Sequence, residues 1–215
     1  MITENDIRLL TVASFVRPGA RVYDIGSDHG YLPIHLINRG LAERVRAVEN
    51  KPGPFSRLQA NVAPYPEIEA LLADGMDRYE PEFDTVIAAG LGGTTIIRVL
   101  KKYFMTGVVA PSRIILEPQS DAQRVREFLN DCRYRIEDEK YVEERGKIYP
   151  VIVWVPGLEL LQTLDLLYGP CALKNRDPLL KTYLERQLII PPDMPPTVAA
   201  AKKVVVQEAL KAWKK

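Results

Sequence analysis

Residues 21–33, RVYDIGSDHGYLP, constrain the fold more than any other stretch of the chain. Residues 22–25 alternate and are rich in β-forming side chains, which predicts a strand. Gly26 breaks the run, Gly30 follows four residues later, and residues 31–38 carry apolar side chains at helical spacing. Strand, glycine turn and helix in that order bring backbone N–H groups close to a bound ligand. The dinucleotide fingerprint GxGxxG would need glycine at position 28, where Asp28 stands. Two glycines in a strand-to-helix turn also serve packing alone, so the turn by itself assigns no ligand.

The remaining chain repeats the same alternation. A first helix carries Ile7, Leu10, Val12 and Phe15, with Thr3 or Asn5 as its cap and Glu4 and Asp6 at its positive end. Strands are expected at 44–49, 68–73, 83–89 and 113–116, and helices at 54–62 and 94–103 and after Ser120 or Asp121. The run 83–89 is almost wholly apolar, as in a strand buried on both faces. The alternation then stops: 134–141 and 147–155 read as an antiparallel pair at one sheet edge, turning at Gly146. This order implies an α/β fold with a mostly parallel seven-stranded sheet, helices on both faces and a terminal antiparallel hairpin. Gly169-Pro170 marks a boundary between residues 1–169 and a tail, 170–215, of two helices at 178–188 and 197–213.

Composition narrows the setting. The chain has 215 residues, enough for one such domain and a small appendage. A net charge of +1 gives no overall basic field, although a local patch suffices for nucleic acid. Cys132 and Cys171 form no paired framework or CxxC spacing, so a reducing cytoplasm is the expected location and no metal site is expected. His29 and His35, six apart, do not share a helix face. Neither a signal peptide nor a membrane-spanning run is read.

Ligands of an open α/β sheet bind beyond the carboxyl ends of its strands. Four features fall there: the turn with Asp24, Gly26, Ser27, Asp28, His29 and Gly30; Glu49 followed by Asn50; Asp74-Gly75; and Gly90-Leu91-Gly92-Gly93. Asp24-x-Gly26-x-x-x-Gly30 fits the loose glycine pattern of S-adenosylmethionine (SAM) methyltransferases. Glu49 suits both hydroxyls of a ribose, Asp74 an adenine amine, and the small residues 90–93 leave room for a methyl donor and its target. Singly, Asp74-Gly75 is an ordinary turn, Glu49 a solvated charge and the glycine run a packing device. Together they point to a nucleoside-type cofactor. No nucleophile–base pair stands at a recognisable spacing, so hydrolase chemistry lacks support.

GSDHGYLP, Glu49 ahead of Pro52-Gly53-Pro54, Asp74-Gly75, AAGLGG, strand 114–118, Gly146-Lys147-Ile148-Tyr149 and Tyr168-Gly169-Pro170 together resemble the bacterial TrmK-type tRNA (adenine(22)-N(1))-methyltransferases over nearly the whole chain. Gly30 and Leu91 replace the family's alanine and methionine. Glu117-Pro118-Gln119 stands in place of Gln-Pro-Asn, and Ile148 in place of an aromatic residue. The resemblance implies a class I SAM-dependent methyltransferase fold and methylation of ring nitrogen 1 of adenine 22 in tRNA. It implies a cofactor site at Asp24, Gly26, Ser27, His29, Gly30, Glu49, Asn50, Asp74, Gly75 and Gly90. Substrate would be met by Leu91, Gly92, Gly93, Glu117 and Tyr149. Asp28 is the candidate carboxylate for the cationic product, with Glu117 second; the plainer reading has Asp28 accepting N–H bonds within its turn.

Two rivals share the fold: a methyltransferase for another RNA base or a small molecule, and a non-catalytic RNA-binding protein. In the tail, Lys and Arg clearly outnumber Asp and Glu. Lys174, Arg176, Lys181 and Arg186 are assigned to one helix, and Lys202, Lys203, Lys211, Lys214 and Lys215 to the next. Lys174, Lys202 and Lys203 are the leading candidates for binding the tRNA backbone. The oligomeric state is left open by the sequence, with a monomer as the working expectation.

Overall fold

A computed structural model describes residues 2–3, 6–105 and 109–214. Its first six elements are α1 (Ile7–Ser14), β1 (Ala20–Ile25), α2 (Tyr31–Asn38), β2 (Ala42–Glu49), α3 (Pro52–Val62) and β3 (Ile68–Leu72). Next come β4 (Thr85–Leu91), α4 (Gly93–Phe104), β5 (Arg113–Pro118), α5 (Ala122–Asp131), β6 (Tyr134–Glu144) and β7 (Lys147–Pro156). The seven strands form one sheet in the order β3-β2-β1-β4-β5-β7-β6. The first five are mutually parallel; β7 runs antiparallel to both β5 and β6.

The sheet separates two apolar layers. On one face, Val12 of α1 and Phe15 at its C-cap, Leu32 and Leu36 of α2, and Leu58 and Val62 of α3 pack on Val22, Val45, Ile87 and Ile115. On the other, Ile96, Val99 and Leu100 of α4 and Val125 and Leu129 of α5 pack on Tyr23, Val86, Ile114 and Leu116. Alternate residues of the central strands therefore serve opposite cores, and runs such as Arg113–Pro118 are buried throughout. Two expectations about helix starts change. The N-cap of α1 is Asp6, whose carboxylate accepts from Thr3 N at 2.7 Å and Thr3 Oγ1 at 3.0 Å. Glu4 and Asn5 lie outside the described residues. Asp121 precedes α5 in the left-handed region and makes no side-chain cap bond.

Four α-helices rather than two follow the sheet: α6 (Thr163–Tyr168), α7 (Pro170–Lys174), α8 (Pro178–Gln187) and α9 (Pro196–Leu210), with a 3-10 turn at Lys211–Trp213. Lys174 ends α7 and Arg176 follows it, so neither belongs to the helix that carries Lys181 and Arg186. A third apolar cluster joins Leu180 and Leu184 of α8 with Val206 and Ala209 of α9, and seats both on Tyr141 of β6. Val198, near the start of α9, lies outside this cluster and is exposed. Among the described residues no helix is long and apolar enough to cross a membrane.

Candidate active site

The carboxyl ends of β1 to β4 open into a cleft of about 700 Å³. Asp24, Gly26, Ser27, Asp28, His29, Glu49, Asn50, Asp74, Gly75, Gly90 and Leu91 all line it. The glycine turn is stitched to the neighbouring strand: Gly26 N and Ser27 N donate to Val48 O at 2.8 and 3.0 Å. Gly30 serves packing instead of the cleft, since a Cβ there would come within 2.7 Å of Leu58 Cδ1 and 2.9 Å of Val62 Cγ1. Asp24 is buried, and its Oδ2 accepts from Ser27 Oγ at 2.5 Å. Burial pushes its carboxyl up to about 6, against the pull of that hydroxyl.

Glu49 Oε1 accepts from Asn50 N at 3.0 Å and Lys51 N at 2.9 Å, which fixes the side chain at the strand end. Oε2 has no hydrogen-bond donor among the described residues. Asp74 is already engaged: Arg98 Nη1 and Nη2 donate to its two oxygens at 2.9 and 3.3 Å, and Asn50 Nδ2 reaches Oδ1 at 3.3 Å. The Arg98 bonds hold its carboxyl below the usual carboxylate range. Asp28 presents an exposed carboxylate to the cleft, with His29 Nε2 3.6 Å away. The structure shows no backbone N–H bonded to it among the described residues, against the plainer reading of that residue. The His29 ring stacks on Tyr31 at 5.3 Å.

The other assigned residues divide. Gly92 and Gly93 face Ser120, whose carbonyl would lie 2.5 Å from a Cβ on Gly93, so their smallness serves the start of α4. Glu117 is fully buried beneath the cleft and bonded to Arg8 and Gly90 N. Tyr149 lines a second cavity of about 100 Å³ with Gln119, Tyr141 and Tyr183. Lys174, Lys202 and Lys203 line neither cavity. Arg8, Tyr31, Arg98, Gln119, Glu144 and Arg145 line the main cleft without having been assigned to the site from the sequence. Arg8 and Arg98 meet their partners 109 and 24 positions away, separations that leave no local pattern. The cleft lining holds Asp6, Asp24, Asp28, Glu49, Asp74 and Glu144 against Arg8, Lys51, Arg98 and Arg145. Its excess of carboxylates suits a cationic ligand.

A Rossmann-like sheet closed by an antiparallel hairpin, with an acid at the end of β2 and a glycine turn at the end of β1, defines a methyltransferase domain. The family described as "Methyltransferase domain" matches residues 6–152. The crystal structure of Streptococcus pneumoniae Sp1610 in complex with S-adenosyl-L-methionine is 31% identical, covers 98% of this chain and 100% of its own, and superposes with a TM-score of 0.87. That of the Bacillus subtilis m1A22 tRNA methyltransferase TrmK is 27% identical, covers 98% and 95%, and gives 0.78. In sequence, the B. subtilis tRNA (adenine(22)-N(1))-methyltransferase is 37% identical over 156 residues, which make up 70% of this chain and 64% of that enzyme. The chain belongs to the TrmK family of tRNA (adenine(22)-N(1))-methyltransferases.

Proposed function

We propose that this chain moves the methyl group of SAM to ring nitrogen 1 of adenine 22 in tRNA. The observation that carries the reading is the split of Glu49: one oxygen is used by its own turn, and the other is left at the strand end for ribose hydroxyls. The residues present fit the cofactor. Gly26 and Gly90 keep the backbone clear at left-handed positions around the cleft, and the acidic lining favours a sulfonium cation. Glu49 would hold the ribose, and Asn50 with the Asp74–Arg98 pair would border the adenine. Ser27, His29 and the turn would border the amino-acid tail.

Bound SAM supplies an electrophilic methyl group. Adenine N1 has an in-plane lone pair, so the new N–C bond forms as the S–C bond breaks and no proton need be removed. What the chain contributes is placement, water exclusion and charge. Asp28 is the cleft carboxylate available to the positive charge that develops on the base; Glu117 is committed elsewhere.

Mass spectrometry of nucleosides from tRNA incubated with protein and SAM should show 1-methyladenosine, mapped to position 22. Asp28→Asn should lower turnover much more than SAM affinity. Unmodified tRNA in the presence of bound SAM would remove the substrate assignment. Equal losses in turnover and affinity would move Asp28 to the cofactor side.

A further inference from the structure

Glu117 is the buried carboxylate beneath the cleft, and only one of its oxygens is satisfied. Oε2 takes Gly90 N at 2.6 Å and Arg8 Nη1 at 2.9 Å. Oε1 is buried with no partner among the described residues. Arg8 comes from α1, and its Nε reaches Glu144 Oε2 of β6 at 3.2 Å. Three walls of the cleft thus meet at one cluster: the N-terminal helix, the end of β4 and the hairpin turn.

The point held is a sensitive one. Gly90 has φ +80 and sits where the β4–β5 register shifts between Ala89 and Leu91. Leu91, the next residue, packs beside the glycine turn; a Cβ on Gly26 would lie 3.4 Å from its Cδ2. Its carbonyl accepts from Gln119 N at 2.9 Å. The placement of the Gly90 N–H therefore sets the placement of Leu91 on the wall.

We propose that Arg8 and Glu117 are positioning residues for methyl transfer, their part-buried ion pair fixing the Gly90–Leu91 segment against which the target base is presented. The assignment rests on the reaction proposed above. A lone buried carboxylate is costly, whereas a paired one is tolerated. Burial pushes the Glu117 carboxyl up, and Arg8 opposes that. The charged groups that face it are Arg8 from α1 and Glu144 from β6.

The test compares Arg8→Met, Glu117→Gln and the double variant. Turnover and KM for tRNA, SAM dissociation constants by calorimetry, and unfolding midpoints are measured between about pH 6 and pH 8. Arg8→Met should lose about 10- to 100-fold in turnover, with SAM affinity and KM within about threefold. Without its cation, Glu117 is tolerated only when protonated, so the loss in turnover and in unfolding midpoint should deepen as pH rises. Glu117→Gln keeps an acceptor for Gly90 N–H and needs no counter-charge. In the double variant it should restore about tenfold of the turnover and flatten the pH dependence. Wild-type turnover in Arg8→Met, a loss confined to SAM affinity, or a double variant no better than Arg8→Met would each overturn the assignment. If Arg8→Met does not fold, the readout becomes whether Glu117→Gln restores a cooperative unfolding transition; no restoration overturns the assignment. A wild-type protein that leaves adenine 22 unmodified would refute the reaction, while the pH dependence of unfolding would still judge the pair.

Discussion

The two oxygens of Glu49 serve different partners. Oε1 closes the turn onto Asn50 N and Lys51 N, and Oε2 is left for a ligand. Charge-assisted bonds to a ribose are worth about 1.5–3 kcal/mol each. Glu49→Ala should therefore weaken SAM binding by about 2–4 kcal/mol in calorimetry, while the variant stays folded. An unchanged dissociation constant would exclude the residue from the site. Glu49 was legible because strand periodicity places it at a strand end, where sheets of this kind bind ligands. Asp74 was legible only in place. Its engagement by Arg98 depends on α4 folding back over the end of β3, which no local pattern announces. Glu117 was misread for the same reason: a carboxylate after a strand looks free until its guanidinium partner arrives from α1.

At the scale of elements, strand period and apolar runs located all seven strands, with ends that moved by a few residues. The hairpin and its edge position followed from the break in alternation. Helices α6 and α7 escaped notice because six and five residues are too short to show a helical repeat. The glycine turn behaves as one piece with α3. Gly30 has φ +73 and no room for a Cβ, whereas Gly40 has φ +65 and nothing within 4 Å of one. Gly40→Ala should cost only the left-handed conformation, about 1 kcal/mol. Gly30→Ala adds overlap with Leu58 and Val62, for a total of about 2–4 kcal/mol. Denaturant unfolding of the two variants measures the difference; equal losses would show that α3 yields freely.

For the whole molecule, the cleft is acidic and the tail is basic, so cofactor and nucleic acid would be gripped by different surfaces. Lys181, Arg186 and Lys211 are ion-paired with Glu185, Glu143 and Glu208. No ion pair forms at Lys174, Lys202 or Lys203 among the described residues, and Lys215 lies outside them. Replacing those three lysines with glutamine should weaken tRNA binding and shallow its salt dependence by about one log–log unit for each phosphate no longer neutralised. SAM affinity should not change. An unaltered salt slope would remove them as the RNA anchor. How the tail is joined was invisible in the sequence, because Glu139 reads there as one more polar residue of an edge strand. In the fold it is buried, paired with Arg126 of α5 at 3.0 Å, and it accepts from Cys171 N and Ala172 N of α7 at 2.9 and 3.1 Å. A boundary drawn at Gly169 cuts through that bond set and strands a buried charge. Anyone grafting a relative's terminal helices onto this chain would do better to splice beyond α7, keeping the five-residue helix with its host as the keystone of the join.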